Sequence, residues 1–578
     1  MFRCAVAFCL LSVALFGQVT RNVPAQFPTI QGAIGASSNG DTVMVAAGTY
    51  NEALNFLGKS VSVIGAAGAL TTIIQGTPGQ RVVAFTNNEG PGSILNGFTV
   101  TGGAGGIQIT RASPTIMNCT ITGNAANQTG GGGVRIVSDV NGQNASPTFT
   151  NCRITNNLCL GQSTAAGHYE GGGGVSALSL NSGAVSLNFS SCVLSGNTAG
   201  GSGYGGALWV VVGTLTSVNV TMTQCLMENN VTDGGGGAAF INQGTSATFN
   251  RCTIRNNTAV ASSGSGFYGG IATACSGTVT YVGCLFHGNT SSILASAIHA
   301  SPVGSPQTGS LQIQNCTIVD NVSSGPGVLM GTPSAFVTSS IIRGNSGLDI
   351  GTQSGSTTVP SVIFSNVGGY YGSLNTNSSA DPRFVDPALG DYHLSSTSPC
   401  VNTGSLGVVP LPATDLDGSP RLVGPVDMGA DERPNPAFPG SGADLDLYAI
   451  VNSAGDPLAS TVAAPIGSQL KVTLKSAGGT FVGAPVMIAG QLYATGSNLA
   501  LNPAFPMIQI NGFGTVLMYS SVGGAAFTQP GLPSTGITLA YIIPPGLSGS
   551  TLRTQGFAVT PIAGPLGFIA TDARDVTL

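Results

Sequence analysis

Charge is what this chain has least of. Only 17 Lys and Arg and 22 Asp and Glu stand among 578 residues, for a formal net charge of −5. A chain so poor in basic residues has no positive stripe with which to hold nucleic acid. Lysine is missing altogether from residues 101–350. There is no CxxC, and the four histidines are not spaced with cysteines, which argues against a zinc site of the finger type. Beyond the first residues no run of 18 or more apolar residues occurs, so no transmembrane helix is expected in the mature chain. Glycine is abundant, at 87 residues, but lacks the every-third-residue period of collagen.

What is present is order. Hydrophobic residues make up 42% of the chain, too many for a disordered one. At 578 residues it exceeds one compact core, so several domains or an elongated repeat array are expected. The opening residues hold one Arg and then an apolar run from Cys4 to Phe16, which reads as a secretory signal peptide over 1–17. That places the protein outside the cell or on its surface.

A repeat follows. Cys119, Cys152, Cys192, Cys225, Cys252, Cys284 and Cys316 recur at steps of 33, 40, 33, 27, 32 and 32 residues, and Ser340 takes the eighth place. Periods of this size mean a solenoid. Two positions on lies an apolar residue: Ile121, Ile154, Leu194, Met227, Ile254, Phe286, Ile318 or Ile342. That is strand spacing, so both side chains face inward. Five positions on is always Asn: Asn124, Asn157, Asn197, Asn230, Asn257, Asn289, Asn321 and Asn345. Asn tolerates a left-handed backbone and hydrogen-bonds locally, so these residues are expected at a corner, stacked as an amide ladder. Three positions before the cysteine sits another apolar residue, and a third strand follows each glycine cluster, as in Gly132-Gly133-Val134-Arg135-Ile136. The pattern predicts an all-β fold: a right-handed parallel β-helix with three strands per coil. Its cysteines are small buried groups, read as thiols because a parallel ladder aims them poorly for disulfides.

Along the chain, 22–100 reads as an N-terminal cap and first coils, with an amphipathic segment at Ile30, Ala33 and Ile34. Residues 101–359 are regular coils. Residues 360–435 change character, with "DPRFVDPALGDYHLSSTSPC" and "TDLDGSPRLVGPVDMGADE" rich in Asp, Pro and Gly turns. "RPNPAFPGSG" at 433–442 reads as a linker, and 443–578, without cysteine and with short alternating runs, as a β-sandwich.

The opening "FPTIQGAI…GDTVMVAAGTYNE" resembles the N-terminal cap of pectin methylesterase-like and pectate lyase-like β-helix proteins. The Gly-Gly-apolar and Cys-x-Ile-x-x-Asn coils resemble those of bacterial surface and autotransported β-helices, including polymorphic outer membrane proteins. Asp381-Pro382, Phe384-Val385-Asp386-Pro387, Asp391-Tyr392-His393-Leu394, Ser398-Pro399, Asp415-Leu416-Asp417-Gly418 and Asp427-Met428-Gly429-Ala430 resemble the choice-of-anchor Q module that follows bacterial β-helices, departing from it at Asn402, where that pattern has Asp. The resemblance implies a bacterial secreted or surface protein. It leaves function open, since such helices host lyases, hydrolases and non-catalytic binders alike.

For chemistry, the regular coils offer only Asp139, Glu170, Glu228, Asp233, Asp320 and Asp349 as acids, with no pair recurring in adjacent coils. One outward row, three positions after the cysteine, brings Glu228, Arg255 and His287 into successive coils; it is either an acid–base or ligand-gripping ladder, or a surface charge ladder. The longest insertion carries His168, Tyr169 and Glu170. Tyr169, Tyr204 and Tyr268 are candidates for stacking on sugars, with corner filling as the plainer role. Trp209 reads as core. Asp415 and Asp417 are candidate Ca²⁺ ligands that lack the rest of an EF-hand spacing, so a turn is the plainer reading and no cofactor is expected. The expected function is binding of polysaccharide or another surface component along an extended face, without catalysis. The alternatives are a polysaccharide lyase or glycoside hydrolase built from Glu228, Arg255, His287, His168 and Glu170, and a structural surface-layer or stalk component.

Overall fold

The computed structural model describes residues 17–127, 130–161, 171–181, 183–201, 203–213, 217–242, 244–260, 270–274, 278–292, 294–301, 309–332, 334–353, 359–369, 376–395, 397–406, 410–421, 426–433, 446–452, 461–465, 467–476, 486–494, 515–520, 535, 537–543, 550–559, 568–570 and 574–577. The signal-peptide segment, His168, Tyr169, Glu170, Tyr268 and most of the linker lie outside them. The chain divides into two compact units, residues 1–201 with 211–218, and residues 202–210 with 219–578.

In the first unit Thr29 caps a short helix, Ile30–Ala36, by accepting the Gly32 N–H at 3.1 Å. Glu52 takes the N–H groups of Ile30 and Gln31 at 2.9 Å each. A carboxylate on the free N–H groups of a helix start is the favourable charge there. Ile30, Ala33 and Ile34 are buried, as the spacing predicts. The coils then stack as parallel strands. Sheet A includes Thr115–Met117, Thr148–Thr150 and Val185–Ser190; sheet B includes Thr120–Thr122, Arg153–Thr155 and Val193–Ser195; sheet C includes Ile107–Thr110, Val134–Ser138 and Val175–Ser179. Equivalent residues pair in register, Ile116 with Phe149 and Phe149 with Phe189, Ile121 with Ile154 and Ile154 with Leu194. The Phe149 and Phe189 rings stack at 4.8 Å, one coil apart.

The second unit repeats the arrangement. Met227, Ile254, Phe286, Ile318 and Ile342 pair in succession along sheet B, and Phe249, Tyr281, Ile313, Val337 and Val362 along sheet A. Trp209 is buried, as expected of core. The last coil strands are Ser361–Ile363 and Asn366–Val367.

Two expectations need correction. A coil in the middle of the array has four strands, not three: a short sheet D follows the asparagine, with Ala125–Ala126, Leu158–Leu160 and Thr198–Gly200 in the first unit and Val231–Thr232, Thr258–Ala259 and Thr290–Ser291 in the second. The two or three residues involved were too few to show a period. Nor is the repeated asparagine the left-handed residue. That conformation falls one position earlier, at Gly123, Asn156, Gly196, Asn229, Asn256, Gly288, Asp320 and Gly344, and again just before the cysteine, at Asn118, Asn151, Ser191, Gln224, Arg251, Gly283, Asn315 and Ser339. These are the two bends on either side of sheet B.

The asparagine does form the ladder. In the first unit Asn124 donates its Nδ2 and its backbone N–H to Asn157 Oδ1 at 3.0 and 3.2 Å, and Asn157 does the same to Asn197. In the second, Asn230, Asn257, Asn289 and Asn321 each donate to the next in line. Most Nδ2 groups also reach a carbonyl of the preceding coil, such as Met227 O from Asn257 at 2.9 Å. The second ladder ends on a carboxylate: Asn345 gives its N–H and Nδ2 to Asp349 Oδ1, both at 3.0 Å. All amides in the row point the same way, so their positive ends face Asp349, which suits an anion. The paired glycines let the chain pass this row. A Cβ on Gly133 would lie 3.0 Å from Asn157 Nδ2, and one on Gly327 would lie 2.7 Å from Asn345 Cβ.

The nine described cysteines are buried thiols, none in a disulfide. They also hydrogen-bond. Cys252 Sγ reaches Met222 O at 3.4 Å, and Cys284 Sγ accepts from Cys252 N at 3.5 Å. Ser340 and Ser365 take the place of cysteine as acceptors, from Cys316 N and Ser340 N.

Beyond the coils, Phe384–Asp386 and Asp391–Leu394 form an antiparallel hairpin. Two further sheets, Asp446–Val451 with Gln469–Lys475 and Ile537–Ile542, and Thr461–Ala463 with Val486–Ala494, Thr515–Ser520, Ser550–Val559, Phe568–Ala570 and Arg574–Thr577, share one core that includes Leu447, Leu470, Val472, Ile488 and Val576. This is the β-sandwich.

Replacing Asn257 by Ala strands two donors of Asn230 inside the protein and is expected to cost about 3 kcal/mol. Cys252→Ser keeps a hydroxyl donor and acceptor in the place Ser340 and Ser365 already occupy and is expected to cost under about 1 kcal/mol. Denaturant midpoints of the two variants check the contrast.

Candidate functional site

Outward positions of sheet B in the first unit are mostly polar, such as Thr120, Thr122, Arg153 and Thr155, with Val193 among them. Toward the end of the second unit they turn apolar, at Leu285, Val319 and Ile341. These three are buried because Tyr392, Leu394, Met428 and Ala430 cover them. Polar bonds fix the cover in place. Tyr392 Oη donates to Asp320 Oδ2 at 2.9 Å, Ala430 N to Thr317 Oγ1 at 3.0 Å, Gly429 N to Ser339 O at 2.8 Å, and Asn315 Nδ2 to Asp427 O at 3.0 Å. The hairpin and the 415–432 segment are thus docked on the flank of the coils.

Beside this docking lies a cleft of about 620 Å³. Arg251, Arg255 and His287 of the coils line it, with Asp391, Tyr392 and His393 of the hairpin, Asp417 and Asp431 beyond it, and Tyr448, Thr473 and Lys475 of the sandwich. Glu228, Arg255 and His287 do fall in register on successive strands. Arg255 grips Glu228 Oε2 with Nη2 at 2.7 Å and Nε at 2.8 Å. His287 is held neutral, its pKa pushed down to about 4 by burial and then by the Arg255 charge. Its ring lies 5.1 Å from that of Tyr392. Lys475 Nζ pairs with Asp386 Oδ2 at 3.1 Å, and Arg251 donates to Thr414 Oγ1.

The most concentrated polar group is one that the repeat pattern gave no reason to single out. His393 Nδ1 lies 2.5 Å from Asp391 Oδ1, and Nε2 lies 2.9 Å from Asp417 Oδ2. Asp431 adjoins them. The available signal was the clustering of Asp-Tyr-His-Leu, Asp-Leu-Asp-Gly and Gly-Ala-Asp-Glu in a chain otherwise poor in charge. Of the two Ca²⁺ candidates, Asp415 is consumed by a turn: its oxygens accept Asp417 N, Ser419 N and Glu432 N at 3.1, 2.8 and 3.0 Å. Asp417 instead faces His393. Tyr204 packs against Phe240, with ring centroids 4.7 Å apart, which is the corner-filling role.

Behind the cleft wall, Arg421 is buried and donates to Ala430 O and Gly429 O at 2.8 and 2.6 Å. Glu432 Oε2 accepts Asp427 N at 3.0 Å. Burial, then the neighbouring Asp427, pushes the Glu432 carboxyl up to about 8. Burial likewise raises Asp427.

The family model for the right-handed β-helix region matches residues 215–364. That supplies the hand of the coils. No curated protein shows significant similarity to the chain.

Two pH effects follow. His287 is neutral in the fold, so its contribution to stability is complete above pH 6.5 and is lost as pH falls from 6.5 through about 4. Arg255→Ala is expected to raise its NMR-measured pKa while leaving it below 6.5, because burial is the larger cause. Glu432 has the opposite sense: the folded state holds its proton, so stability falls as pH rises from 4.5 through about 8. Glu432→Gln, which keeps the acceptor, is expected to match the wild type at pH 5 and exceed it by roughly 1–3 kcal/mol at pH 9, read from denaturation at the two pH values.

Proposed function

We propose that the protein is secreted or cell-surface and binds polysaccharide, or another surface component, without cleaving it, and that the cleft beside Arg255 and His287 is a gripping point on its extended face. One observation carries the reading: three of the charged groups in the cleft are answered in place. Arg255 is committed to Glu228, Lys475 to Asp386, and both nitrogens of His393 to carboxylates. A general acid or base must offer a proton or a lone pair to the substrate. Fixed, neutralised pairs instead offer directional hydrogen bonds. The rest of the wall mixes Thr253, Thr473 and Thr538 hydroxyls with Leu226, Leu389 and Ile450. Such a wall suits a sugar ring, with its apolar faces and hydroxyl rim. The apolar run from Cys4 to Phe16 supports export. Among the described residues no helix is long and apolar enough to cross a membrane.

The purified protein on a glycan array, assayed in parallel for new reducing ends and unsaturated products, tests this. The expected result is binding without product, weakened about tenfold by Arg255→Ala, which removes one charged donor. Product that disappears on His393→Ala or Glu228→Ala would replace this reading with the lyase or hydrolase. No glycan bound, together with self-assembly, would replace it with a stalk or surface-layer role.

A further inference from the structure

We propose that His393, Asp417 and Asp431 form a binding site for a divalent transition metal, with zinc the best-matched probe. One ligand atom from each, the imidazole nitrogen and a carboxylate oxygen from either aspartate, lies within 4.8 Å of the others. A mixed set of one nitrogen and two oxygens suits zinc or its first-row neighbours better than calcium, which takes six to eight oxygens. The sequence argument against zinc concerned Cys and His spacing; this set draws on three separate segments and no cysteine.

Three features outside the ligand set prepare it. Asp391 sits 2.5 Å from His393 Nδ1 and Asp417 2.9 Å from Nε2, so one carboxylate orients the ring while the other lies at its free face, the carboxylate–histidine–metal relation of zinc proteins. Asp415 fixes the backbone beside both acidic ligands by accepting Asp417 N and Glu432 N. Of the basic groups on the same wall, Arg255 and Lys475 are committed to Glu228 and Asp386, and Arg251 donates to Thr414 Oγ1. The three ligands also line the cleft, which gives an ion a way in and leaves a coordination position facing it. On binding, the ion takes the place of the proton on the Nε2–Asp417 contact. The site shares the cleft proposed for saccharide but draws on none of Glu228, Arg255 or His287, so zinc uptake and glycan binding are read separately.

The test is isothermal titration of the full-length, chelator-treated protein with ZnCl₂, with CaCl₂ as a comparison, and Co²⁺ absorption as a reporter of nitrogen–oxygen coordination. One zinc per chain is expected, with no comparable calcium binding. Asp417→Asn and His393→Gln are expected to weaken zinc at least tenfold, and Asp391→Asn, which touches no metal, about tenfold to 100-fold. Circular dichroism and a metal-free melt establish that each variant is folded. Should a variant not fold, the stoichiometry and the Co²⁺ spectrum of the wild type decide. No zinc uptake by the wild type, or equal uptake by folded His393→Gln, would overturn the proposal.

Discussion

Each coil of the cysteine repeat turns around sheet B through two residues in the left-handed conformation, and a buried asparagine follows the second turn. The rest of the coil architecture depends on that constraint. A left-handed residue costs energy in any side chain but glycine and, to a lesser degree, asparagine and aspartate. The position before each repeated asparagine holds only those three types, Gly123, Asn156, Gly196, Asn229, Asn256, Gly288, Asp320 and Gly344. The asparagine itself then fills its hydrogen-bonding capacity across coils, because a buried amide left unmatched would cost more than the ladder gains. The paired glycines follow, since a side chain there would strike the ladder.

The flank of the coils carries the same logic outward. The outward positions of sheet B that stay partly exposed are mostly polar, such as Thr120, Arg153 and Thr155; where it presents Leu285, Val319 and Ile341, a hairpin and a turn segment cover it. Covering that patch brings Asp391, His393, Asp417 and Asp431 next to Arg255 and His287. The cleft is therefore a product of docking. Its polar groups come from several separate stretches of chain, and a buried network around Arg421 and Glu432 supports its wall. In a protein with 22 acidic residues, Asp386, Asp391, Asp417 and Asp431 all line this cleft.

Much of the coil was legible in the sequence because each cue repeats. The cysteine, the apolar residue two positions on, the asparagine five positions on and the glycine pairs recur often enough to fix strand, inward face and ladder. What escaped does not repeat. Sheet D contributes two or three residues per coil, such as Ala125–Ala126. The left-handed position was assigned to the invariant asparagine, when its neighbour alternates among Gly, Asn and Asp and so looked variable. In the candidate site, the Glu228–Arg255–His287 row was readable from register alone. The Asp391–His393–Asp417 group was not, because its members are joined only by the docking of one segment on another, which no period encodes. The apolar outward residues Leu285, Val319 and Ile341 were the one sign that something covers this flank.

The amide ladder, closed by Asp349, holds the later coils together. Hydrogen exchange of backbone amides in the wild type and in Asp349→Ala tests it most directly. Asn345 gives its N–H to Asp349, and Asn321 gives its own to Asn345. The account predicts slow exchange along Asn230, Asn257, Asn289 and Asn321 in the wild type. In the variant it predicts a loss of about tenfold or more in protection, starting at Asn345 and Asn321. Unchanged protection at those two amides, or ladder amides that exchange as fast as exposed turns, would contradict it.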